Sequence, residues 1–78
     1  MARRKALTRA FGLVIREARL RASLSQERLA FNAGVHPTYI SQIERGVKSP
    51  TLDVVAWLAK ALHRDAHALI RSAEDRRI

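Results

Sequence analysis

Apolar residues recur three and four positions apart in five separate stretches of this chain, with polar residues between them, which is the pattern of helices that each bury one face. The first stretch, Thr8 to about Ala22, sets Phe11, Ile15, Ala18 and Ala22 inward, with Thr8 as its cap and Gly12 as a mild weak point. The second, Gln26 to Ala33, repeats Leu29, Ala30 and Ala33. Ser25 caps it, and Glu27 lies in the first turn, where the helix dipole favours a carboxylate. Gly34 can take a positive φ without a Cβ clash and stops that helix. The third, Pro37 to Arg45, begins with a residue whose missing amide is not needed there and carries Tyr39, Ile40 and Ile43 up to Gly46. A loop over 46–50 follows, with Ser49 or Thr51 able to cap a fourth helix, about Leu52 to Leu62. That helix turns Leu52, Val55, Leu58, Ala59 and Leu62 inward. His63 stands at the C′ place where Gly is usual, and Asp65 caps a fifth helix, Ala66 to about Ala73, whose apolar positions are Ala66, Leu69 and Ile70. The basic segment 1–7 and the charged segment 74–78 lack periodicity and read as a flexible arm and a fraying tail around an all-α domain over 8–73.

Two short helices joined by a Gly-containing turn form a helix-turn-helix when small or apolar residues sit where they cross, and Ala30 is small at that point. Counted from Gln26, the chain has Leu and Ala at the fourth and fifth places, Gly and Val at the ninth and tenth, and Ile at the fifteenth and eighteenth. This combination resembles the Cro/C1 (XRE-type) helix-turn-helix family. The resemblance runs from about Phe11 to Leu69 and takes in Ile15-Arg16-Glu17-Ala18-Arg19, Ile43-Glu44-Arg45-Gly46, Ser49-Pro50-Thr51-Leu52 and Leu58-Ala59-Lys60-Ala61-Leu62. It implies a compact five-helix bundle of the lambda-repressor-like kind that binds double-stranded DNA as a homodimer. The short chain is also similar to the small controller proteins of restriction-modification systems. Arg64 and Ala66 depart from the family, which usually has larger apolar residues there.

A recognition helix carries its information on the face turned away from Tyr39, Ile40 and Ile43, where this sequence has His36, Thr38, Ser41 and Gln42, with Pro37 offering apolar contact. The family pattern implies that Pro37, Thr38 and Gln42 read bases and that Gln26 anchors a phosphate. The amide of Gln42 can pair with adenine N6 and N7. Arg28, Arg45 and Lys48 flank this surface as candidates for sequence-independent phosphate contacts. The resemblance also implies an ion pair between Arg19 and Glu44 that braces the helices from inside. Arg16 and Arg21 read as a solvated face. Trp57 stands off the fourth helix's stripe, and with Leu69 and Ile70 it makes a candidate dimer surface away from DNA.

The net charge of +8, from 15 Lys and Arg against 7 Asp and Glu, fits a polyanionic partner. An anionic membrane surface would need a broad apolar helix face left free of the core, and the five stripes are consumed by packing. The 78 residues predict one domain of modest stability that buries about 60% of its unfolded surface. No cysteine is present, which removes disulfides and thiolate metal sites and makes the cytoplasm the expected compartment. The apolar run Phe11 to Ile15, bounded by Arg9 and Arg16, is too short for a signal peptide core or a membrane span. Of His36, His63 and His67, only the last two have a helical separation, and no third ligand lies nearby, so neither metal nor cofactor is expected. No phosphate loop, nucleophile elbow or acid–base pair appears, and an enzyme is not expected. Two alternatives stay open beside a stand-alone homodimeric regulator: an antitoxin that binds DNA and a protein toxin, and a protein-interaction module on the same fold.

Overall fold

The computed structural model describes residues 5–76, and these form five helices: α1 (Ala6–Arg21), α2 (Gln26–Ala33), α3 (Pro37–Glu44), α4 (Leu52–Ala61) and α5 (Ala66–Arg76). Each helix contributes at least one fully buried side chain to a single core: Ile15, Leu29, Ile40 with Ile43, Leu58 and Leu69. Burying each of these is worth about 1.5–3 kcal/mol. α1 packs against α3 and α5, α2 against α3 and α4, and α4 against α5, so α3 is held by α1 on one side and α2 on the other.

The caps follow the local chemistry. Ser25 Oγ accepts from the Arg28 amide at 3.0 Å, and Thr51 Oγ1 accepts from the Val54 amide at 3.2 Å, which selects Thr51 over Ser49 as the cap of α4. The first four helices end alike. A left-handed residue follows the last turn at Ser23, Gly34, Gly46 and His63, and the next amide reaches back five residues, from Leu24 to Arg19, Val35 to Ala30, Val47 to Gln42 and Arg64 to Ala59. Gly makes that conformation cheap at two of the four stops. At Ser23 and His63 a Cβ is carried into it, and the paired backbone bonds hold it there.

α1 begins at Ala6, capped by Lys5 without a side-chain bond, because Leu7 packs on the core and draws the helix one turn earlier than Thr8; Ala6 and Leu7 are therefore helix, while residues 1–4 of the expected arm lie outside the described residues. Ala22 is exposed, since the chain turns left at Ser23 and brings Leu24 onto the core in its place. In α4, Leu52 is 87% exposed and Val54 is buried instead. This helix is apolar on most sides, so its spacing alone could not choose between faces. α5 runs on through Glu74 and Asp75 to Arg76, whose guanidinium donates to both carboxylate oxygens of Glu17 on α1 at 2.7 and 2.8 Å; Arg77 and Ile78 of the expected tail lie outside the described residues.

Gly12 is a point of close approach. A Cβ there would overlap the carbonyl oxygen of Ile43 and lie 3.0 Å from that of Glu44, so α1 seats directly on the backbone at the end of α3. Gly12→Ala is therefore expected to lower stability by about 1–3 kcal/mol, the usual cost of overpacking, although Ala is the better helix former. Denaturant melts of the two proteins check this. A variant as stable as the parent would mean that α1 can move off α3 freely.

Candidate nucleic-acid interface

α3 has one face in the core and one outside. Ile40 and Ile43 are fully buried, whereas Thr38, Ser41, Gln42 and Arg45 follow one another at i, i+3, i+4 and i+7 on the other side, exposed or half-buried. The side chains of Thr38 and Gln42 make no hydrogen bond among the described residues, and the Gln42 amide keeps its full donor and acceptor capacity. Ser41 Oγ accepts from Arg45 Nε at 3.3 Å, which ties these two side chains together along the face.

His36 has a role that residue preference did not signal. It is the N-cap of α3, and its Nδ1 accepts from the Thr38 amide at 3.1 Å. Ser, Thr, Asp and Asn dominate such caps, so residue preference gives no signal for an imidazole in that place. With Nδ1 occupied as acceptor, the neutral ring carries its proton on Nε2, and that N–H is the group left for a ligand. Pro37 is half-buried at the first helical position.

Behind the face lies a buried charged network. Arg19 Nε donates to Glu44 Oε2 at 2.7 Å and its Nη2 to Oε1 at 3.0 Å, so the pair is two-pronged, and Nη1 donates to the Leu24 carbonyl at 2.9 Å. Arg19 on α1 and Glu44 on α3 are both buried. The hydrogen bond to Glu44 raises the Arg19 pKa above its ordinary value, burial opposes this, and the charges of Glu44 and Glu27 add to the rise. Gln26 joins them. Its Nε2 donates to Glu44 Oε1 at 3.0 Å, which fixes the first residue of α2 to the last residue of α3. The expected phosphate anchor is thus itself anchored, with one amide hydrogen spent on Glu44 and one remaining.

The flanking cations divide. Arg45 and Lys48 are exposed at the end of α3 and in the loop after it, where the Val47 and Lys48 amides both donate to the Gln42 carbonyl. Arg28 is exposed too, but its guanidinium lies 5.6 Å from the centre of the Phe31 ring, stacked along α2. Leu69, expected at a dimer surface, is fully buried and belongs to the core, because α5 lies against α1 and α4. Trp57 is half-exposed beside α2, and Ile70 is half-buried. Phe31, 77% exposed, was missed; an aromatic residue standing off the Leu29–Ala30–Ala33 stripe was the signal available. Among the described residues there is no metal-binding cluster of His, Asp and Glu, and no helix long and apolar enough to cross a membrane.

An α-bundle that holds a short capped helix at its surface, with a second helix pinned across its base, is a helix-turn-helix domain. A helix-turn-helix family model matches residues 15–69. The control protein C.BamHI of Bacillus amyloliquefaciens is 47% identical over 53 residues, covering 67% of this chain and 65% of that protein. The chain thus spans just under two thirds of that relative's length, and 41% of an uncharacterised HTH-type transcriptional regulator of Mycobacterium tuberculosis to which it is 43% identical over 58 residues, 74% of this chain. Among solved structures, the restriction-modification controller C.AhdI from Aeromonas hydrophila superposes with a TM-score of 0.77 at 38% identity, covering 81% of this chain and 94% of that one. The chain belongs to the Cro/C1-type (XRE) helix-turn-helix family. Over the matched residues it has the fold of that family's solved members.

Proposed function

We propose that this protein is a small transcriptional regulator that reads a specific duplex sequence as a homodimer, with α3 in the major groove. The observation that supports it is the face of Thr38, Ser41, Gln42 and Arg45 opposite buried Ile40 and Ile43, with the Gln42 amide uncommitted. Gln42 and Thr38 read base edges, joined by Ser41, Pro37 and His36 Nε2–H; Gln26, Arg45, Lys48 and Arg28 hold phosphates. One eight-residue helix offers little specific contact, so two copies set about 34 Å apart, one helical turn, read two half-sites. The relatives named as controllers favour a stand-alone regulator over a toxin-binding antitoxin.

Binding-site selection on purified protein is the test. The wild type is expected to return an inverted repeat with half-sites about 10 base pairs apart. Gln42→Ala should relax one position in each half-site, because a bidentate base contact is worth about 1–3 kcal/mol of discrimination. Gln26→Ala should instead weaken all duplexes alike, since a phosphate contact carries no sequence information. Indistinguishable base profiles for the two variants would remove α3 as the reader, and a single unrepeated site would remove the dimer.

A further inference from the structure

On another side of the molecule, the outer faces of α2 and α4 enclose an open groove of about 640 Å³. Phe31 and Trp57 line it, 77% and 49% exposed, together with Asn32, Ala33 and Ala61. Small domains rarely leave two large aromatic side chains beside one apolar depression unless something covers them. α3 contributes no residue to this groove, so a duplex on the α3 face leaves it open.

Its charge is one-sided. Among the described residues that line it, Lys60 is the only one of the Lys, Arg, Asp and Glu types, and His63 lines it too. Glu27 and Arg28, one acid and one base, line a separate depression that shares Phe31 with it. A second copy seated groove to groove would set Lys60 against Lys60, like charge against like. We propose that the groove docks an acidic peptide segment of a partner protein, which seats an apolar side chain between Phe31 and Trp57 and sets a carboxylate against Lys60. Such a regulator would hold DNA on one face and a protein on another, although this docking site stands whether or not α3 reads DNA.

Trp57 is the only tryptophan, so its emission reports occupancy directly. The probe is a synthetic helical peptide with Leu and Phe four residues apart among Asp and Glu, set against a counterpart with Lys at every acidic position. A saturable blue shift is expected with the acidic peptide and none with the basic one. Phe31→Ala, at an exposed position that leaves the core and the net charge intact, should weaken binding by roughly tenfold or more, as loss of an aromatic anchor does. Lys60→Glu should also weaken it. The proposal fails if Phe31→Ala binds as tightly as the parent, which would mean attraction to net charge alone, or if the acidic peptide gives no saturable shift. It fails equally if the lysine peptide or a short single-stranded oligonucleotide gives the same shift, or if Trp57 emission moves with protein concentration alone, which would assign the groove to a second copy.

Discussion

Affinity for a selected duplex is expected to fall by roughly 10³ to 10⁵ between about 50 and 200 mM salt. Each phosphate neutralised by Lys or Arg releases condensed counterions, so log affinity falls with log salt at a slope of about −0.9 per contact. Arg28, Arg45 and Lys48 are three exposed cations flanking the α3 face, hence six for a pair of copies, and six contacts give about the lower figure. Cations elsewhere in the +8 chain account for anything beyond it. Removing Lys48 should reduce the slope by about one unit for each copy in the complex, whereas Gln26→Ala should lower affinity and leave the slope where it was, because a neutral amide displaces no counterion. Titrations at four or five salt concentrations decide this. A flat salt dependence would remove DNA as the ligand and leave the protein-interaction reading.

Glu44→Ala is expected to cost about 3–5 kcal/mol, the usual penalty for stranding one partner of a buried ion pair. The carboxylate accepts from Arg19 twice and from Gln26 once, so its loss leaves the guanidinium buried with only the Leu24 carbonyl and frees α2 from the end of α3. In a domain of this size each kcal/mol moves the midpoint by about 4–8 °C, so Tm should drop by roughly 15 °C or more. The paired change Arg19→Met with Glu44→Leu should recover much of that stability, since buried ion pairs are often no better than apolar residues of like volume. It should not recover full DNA affinity. Gln26 would have lost the acceptor that fixes its remaining amide hydrogen toward the groove rim. Thermal melts followed by duplex titration check both halves, and a single variant within about 1 kcal/mol of the parent would show that the pair is not what fastens α3 to α1.

What the sequence determined by itself is local. Ser25, Gly34, Pro37 and Gly46 mark where α2 and α3 begin and end because capping and left-handed stops depend on the backbone of a few neighbouring residues. The outward face of α3 was legible for the same reason: Ile40 and Ile43 leave a short amphipathic helix only one side to bury. α4 had no such contrast, and only its neighbours decided that Val54 goes inward and Leu52 outward. Leu69 sat on a plausible surface stripe until the packing of α5 on α1 and α4 made it core. Gly12 read as a flaw in α1 because the carbonyl of Ile43 that it accommodates lies far along the chain, on another helix. Arg19 and Glu44 could be paired beforehand only through family resemblance, and the third member, Gln26, came from three helices meeting at one carboxylate. The Phe31–Trp57 groove likewise exists only where α2 and α4 lie side by side. Helical periodicity says that a face is buried; which residues of distant segments share it is decided by packing, because that contact energy is absent from any single helix.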